Sequence, residues 1–185
     1  METGEHKVGS NWFKAQVEKE AGKDQVPSTD RIGQAIGLVC AAIFLVFFVI
    51  HQTRPTGFFT DDFGTGDAAL LYALILSGML SPIVRLIYGR KNIARPFDAG
   101  GMAFVFIGGL YFLVTFPFDF TYFAAPLPHV LEPLFDWVSG TFARWLLGIG
   151  VVASPFFSAY NFILYFGVRK HFAETSADSK VQNPQ

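Results

Sequence analysis

The sequence predicts an all-α integral membrane protein: an antiparallel four-transmembrane-helix bundle with an additional amphipathic outer-surface helix between helices 3 and 4. Three observations carry that prediction. Of the 185 residues, 51% are hydrophobic and 17% aromatic. The apolar residues gather in four long stretches, each near the roughly twenty residues needed to cross a hydrocarbon core of about 30 Å. The third observation is the sorting of Lys and Arg. Lys7, Lys14, Lys19, Lys23, Arg31, Arg85, Arg90, Lys91, Arg95, Arg169, Lys170 and Lys180 belong to the first, third and fifth polar segments, and only Arg54 and Arg144 to the second and fourth. Short cytoplasmic loops keep Lys and Arg because carrying them across the bilayer is unfavourable. The bias predicts cytoplasmic N- and C-termini, at the plasma membrane.

Residues 1–31 are polar and charged and read as a cytoplasmic mobile tail. Asn11 offers a cap for one short helix, whose Trp12, Phe13 and Val17 would rest on the inner membrane surface. Pro27-Ser28-Thr29-Asp30 breaks the chain before the first span. The four-helix membrane domain covers 32–168, with spans at about 32–50, 68–88, 100–118 and 141–168. The first span follows about thirty polar residues and reads as an uncleaved anchor rather than a signal peptide. It carries Gly33-xxx-Gly37, a spacing that allows close helix approach. The second span contains Pro82 and ends near Arg85. The fourth is the longest and has length to spare for tilt. Residues 169–185 form a second cytoplasmic tail.

Between spans three and four, Leu127, Val130, Leu131, Leu134, Phe135 and Val138 fall at i, i+3, i+4, i+7, i+8 and i+11. His129, Glu132 and Asp136 fall opposite them. The spacing predicts an amphipathic helix over about 127–139, with Pro128 in its first turn and a bend at Pro133. Its acidic polar face suits a cap on the outer end of the bundle better than a surface drawn to anionic lipid.

Composition excludes several function classes. A net charge of −1 advertises no nucleic-acid partner. Cys40 is the only cysteine, which excludes intrachain disulfides and paired-cysteine redox chemistry. All four His residues lie outside the spans or at their ends, so no haem is held between helices. Hydrolase, P-loop and zinc-peptidase motifs are missing, and no internal repeat suggests an inverted-repeat transporter. No catalytic residue, cofactor or metal is assigned.

Three groups of residues are candidates for a site. The first is a polar intramembrane stripe. Ser77, Ser81 and Arg85 share one face of the second span, and Ser154, Ser158, Asn161 and Tyr165 share one face of the fourth. Polar side chains within a bilayer prefer each other to lipid, so the two faces are expected to meet, as interhelical hydrogen bonding or as a passage. The second group is two ion pairs: Arg85, bordering the inner interface, with Asp98, and Asp119, embedded among aromatics, with Arg144. The third is the outer set of Asp61, Asp62, Asp67, Asp119, Glu132, Asp136, His51 and His129. A metal site would be drawn from His51, His129, Glu132 and Asp136, but no ligand spacing supports one.

Taken together, these residues describe a multi-pass protein whose leading function is that of a non-enzymatic accessory or scaffold subunit. Its expected partners are the lipid bilayer and a membrane protein or second copy. The alternatives are a small oligomeric transporter or channel using the polar faces of helices 2 and 4, and an enzyme or metal-binding protein with an outer acidic site.

Overall fold

The structure, a computed structural model, describes the backbone of residues 5–182 and the side chains of residues 12–177. The cap expected at Asn11 and the basic side chains of Lys7 and Lys180 lie outside the described residues. Among the described residues five α-helices follow one another: α1 (Glu5–Gly22), α2 (Ser28–Thr53), α3 (Thr65–Tyr88), α4 (Lys91–Thr115) and α5 (Gly140–Gln182). No strand forms among the described residues. Helices α2 to α5 are each long and apolar enough to cross a membrane.

Successive helices pack together, α2 on α3, α3 on α4 and α4 on α5, while α1 lies against α5. The centre of the array is α4, and two adjacent glycines let it serve both neighbours. A Cβ on Gly108 would sit 2.8 Å from Leu74 Cδ1 of α3, and one on Gly109 would sit 2.9 Å from Val151 Cγ2 of α5. Small residues give close approach where no hydrophobic driving force separates helix from lipid. By contrast, Gly33 and Gly37 of α2 have no such neighbour within 4 Å.

Three helices carry an internal proline: Pro82, Pro96 and Pro155. Proline lacks the N–H that would reach back four residues. At Pro155 the freed carbonyl is that of Val151, and the Ser154 hydroxyl donates to it at 3.1 Å. At Pro82 the corresponding Ser81 hydroxyl is buried without a partner.

Two regions differ from the sequence reading. The first is the N-terminal segment, where α1 docks instead of trailing as a tail. Val17 and Ala21 are buried with Leu164 and Val168 of α5, and Phe13 packs against them. Phe13 and Val17 therefore face protein rather than a membrane surface, and Trp12 alone of that trio is exposed. The second is 127–139, which forms no α-helix. It runs through tight i→i+3 turns, Leu131 to Pro128, Leu134 to Leu131, Phe135 to Glu132 and Val138 to Phe135, with a 3₁₀ turn at Glu132–Leu134. Pro133 supplies no N–H, so an α-ladder across this stretch would lose the bond to the carbonyl of His129, which the shorter turns do not need.

Candidate functional site

The polar and charged groups concentrate at the two ends of the helix array. At the basic end the segment following α1 is laced to α4. The N-cap position of α4, Arg90, provides no side-chain bond to the helix. Asp24 does so from outside: its Oδ1 accepts the Asn92 N–H at 2.8 Å, and its backbone carbonyl accepts the Lys91 N–H at 2.7 Å. A carboxylate at a helix N-terminus satisfies orphan donors and complements the dipole. Val26 N–H donates to the Gly89 carbonyl at 2.8 Å, completing a short bridge between the two chain segments.

Ion pairs reinforce this lacing. Arg95 Nη2 meets Glu20 Oε2 at 2.6 Å, Lys91 meets Asp30 at 3.1 Å and Arg90 lies 3.8 Å from Asp24. Arg85 Nη2 meets Asp98 Oδ2 at 2.5 Å, and Arg85 Nη1 lies 3.5 Å from Gln34 Oε1, so one guanidinium reaches α2, α3 and α4. The basic residues of the α3–α4 turn thus have protein acids as counterions. Glu20, Asp24 and Arg95 have roles here that the sequence did not reveal. The one hint was Arg95 itself, set directly before Pro96 and an apolar run.

The aromatic end joins the α2–α3 and α4–α5 connections. Asp119 N–H donates to the Phe58 carbonyl at 2.7 Å, and Thr60 N–H to the Pro117 carbonyl at 3.2 Å. Phe58, 1% exposed, is ringed by Phe48, His51, Phe118, Phe120 and Phe123. His51 is buried and bridges two connections, with Nδ1 2.6 Å from Thr56 Oγ1 and Nε2 3.2 Å from the Phe123 carbonyl. A carbonyl only accepts, so Nε2 carries the proton and Nδ1 accepts from the threonine. At the start of α3, Asp67 accepts the Gly64 N–H at 2.8 Å and the Tyr111 hydroxyl at 2.7 Å, fastening α3 to α4.

The pairing expected between Asp119 and Arg144 does not form. Asp119 Oδ1 accepts the Thr121 hydroxyl at 2.6 Å and the Thr121 N–H at 3.0 Å. Those bonds, the hydroxyl first, hold its carboxyl below the usual range. Arg144 instead lies over the Phe116 ring, 4.2 Å from its centroid. Local turn chemistry reached the carboxylate before a distant cation did.

The two polar stripes are likewise not joined by any hydrogen bond among the described residues. Ser77 donates to the Leu74 carbonyl and Asn161 to the Phe157 carbonyl, each within its own helix. Ser158 donates across to the Ala99 carbonyl of α4 at 2.8 Å, and Tyr165 receives Arg169 at 3.4 Å. With α4 packed against both α3 and α5, the hydroxyls of Ser77, Ser154 and Ser158 are spent on backbone carbonyls, and that of Ser81 has no partner. The outer acids and histidines also stay apart. His129 pairs with Glu132 at 2.8 Å in an exposed turn, while His51 is buried among rings. No three His, Cys, Asp or Glu side chains converge among the described residues.

The fold and these two fastened ends define a membrane-protein class, a helical chain with four candidate spans and its polar chemistry held at the helix ends. No family model matches the chain, and no curated protein or solved structure matches it significantly.

Proposed function

We propose that this protein is a non-enzymatic accessory or scaffold subunit that binds a partner within the bilayer. One observation carries the reading: α2 packs on α3 and leaves the rest of its apolar surface open. Ile32, Gly33, Ile36, Gly37, Cys40 and Phe44 are all exposed along it. Gly33, Gly37, Cys40 and Phe44 recur at i, i+4, i+7 and i+11, which places them on one helical stripe. Two glycines with nothing opposite them leave room for a partner helix to come close. Asp24, His51, Asp67, Arg85 and Arg95 are turned inward to hold helices and loops together, which favours a binding role over a reaction.

The Lys and Arg bias supports an orientation with both termini cytoplasmic, and the membrane proposed is the plasma membrane. The basic end, with Arg90, Lys91 and Arg169, would then face the cytoplasm and the aromatic end the outside. Partner and second copy are separated by one experiment. Cys40 is the single thiol and is exposed on the open stripe. A thiol cross-linker applied to native membranes should trap a stoichiometric membrane protein at Cys40. Trapping should be lost in Gly37→Leu. A solute flux in liposomes that Ser81→Leu abolishes would overturn the scaffold reading in favour of transport.

A further inference from the structure

We infer that the cleft between α4 and α5 seats one acyl chain of an anionic phospholipid, with Arg169 at its headgroup. The cleft measures about 690 Å³ and is open to the side. Small residues line it, Gly100, Ala103 and Ala159, between aromatic walls of Phe106, Phe162 and Phe166. Both hydroxyls in the lining are engaged, Ser158 donating to the Ala99 carbonyl and Tyr165 accepting from Arg169, so the lining presents little that would hold water.

Its depth selects the occupant. The lining runs from Pro96 to Ile107 on α4 and from Pro155 to Phe166 on α5. At 1.5 Å per residue each wall is about 16 Å long. Half of a roughly 30 Å hydrocarbon core is about 15 Å, the depth of one leaflet. A lipid tail fits that length, whereas a partner helix crossing the bilayer needs a seam of twice the depth.

Charge fixes the other end. On α5 the lining positions 155, 158, 162, 165 and 166 continue on the same stripe to Arg169. Arg169 is exposed, makes no ion pair among the described residues, and touches the lining only through Tyr165. Of the neighbouring cations, Lys91 pairs with Asp30 and Arg95 with Glu20, while the exposed Lys170 lies 3.7 Å from Glu174. Arg169, on the lining stripe itself and in contact with Tyr165, is the cation placed to meet a lipid phosphate at the mouth of the cleft. The inference needs only helices in a bilayer and is independent of the scaffold reading.

Native mass spectrometry of the full chain from detergent tests it, with phosphatidylglycerol and phosphatidylcholine of matched tails as probes. The wild type should retain one phosphatidylglycerol per chain in preference to phosphatidylcholine. Arg169→Gln, at an exposed site, should reduce that preference about fivefold, the share expected of one basic residue near anionic lipid. Ala103→Trp should fill the cleft and release both lipids, with helical content checked by circular dichroism. Three results would overturn the inference: an unchanged preference in Arg169→Gln, wild-type lipid retention in a folded Ala103→Trp, or a lipid-free dimer that Ala103→Trp splits. Displacement of the lipid by glycerol phosphate alone would also overturn it, because the tail would then contribute nothing.

Discussion

Arg95 and Glu20 form an ion pair of 2.6 Å between α4 and the end of α1, and the Arg95 side chain is 6% exposed. An arginine so buried has given up water for one carboxylate, while its Nε has no partner. Removing one member of a buried pair typically costs about 3–5 kcal/mol, because the other charge stays buried and alone. Glu20 is partly exposed, which places Glu20→Ala near about 3 kcal/mol at the lower end of that range. Arg95→Met combined with Glu20→Leu should recover most of the loss. Denaturant unfolding in detergent would read both, and a Glu20→Ala variant as stable as wild type would show the pair to be idle.

The glycines divide into two classes with opposite expectations. On Gly167, a Cβ would sit 2.8 Å from Val17 Cγ2 and 3.3 Å from the Phe13 ring. Gly167→Leu should therefore lift α1 from α5, seen as faster proteolysis between α1 and α2. Gly108→Val should cost about 1–3 kcal/mol by overpacking against Leu74. Gly33→Ala and Gly37→Ala meet nothing and should raise stability by up to about 1 kcal/mol through helix propensity. Thermal melts that rank Gly33→Ala with Gly108→Val would contradict this packing.

How much of this was legible in the sequence depends on the range of the physics. The candidate spans were legible because the cost of exposing backbone to lipid is settled within each apolar stretch. Arg85 and Asp98, thirteen positions apart across a short turn, were within reach of the same reading. Glu20 and Arg95 were not, since seventy-five positions separate them and α1 offers only Phe13, Val17 and Ala21 as an apolar stripe. Periodicity misled at 127–139. The apolar spacing there is helical, but Pro133 removes an interior donor on which a helix there depends.

Asp119 and Arg144 should behave independently. One is bound to Thr121 and the other lies on Phe116, with no shared partner. In a double-mutant cycle, Asp119→Asn and Arg144→Gln should add. Their coupling would restore the ion pair that the turn replaces. The Asp119 carboxyl is held low in the folded state, so its contribution is present above the unfolded-state value near 4 and is lost only as pH falls through the lower folded value. The turn should accordingly be insensitive to pH from neutrality down to about 5 and loosen in stronger acid. Thr121→Val should move that loosening to higher pH, measurable by amide exchange at Thr121.

The aromatic end supplies the sharpest contrast between the turn structure and an amphipathic helix. Phe58 is enclosed by rings from α2 and from both connections, so Phe58→Ala should open a cavity and cost about 3–5 kcal/mol. Val130 would sit on the buried face of a helix over 127–139, yet in the turns it is 86% exposed. Val130→Asp should then change stability by no more than about 0.5 kcal/mol, as surface substitutions generally do. A helix buried along that face would instead lose the transfer energy of the valine and strand a charge. Measured together in one detergent, a large loss at Phe58 with none at Val130 places the cohesion of this end in the Phe58 cluster. A large loss at Val130 would require the segment to be packed in a way the turns do not allow.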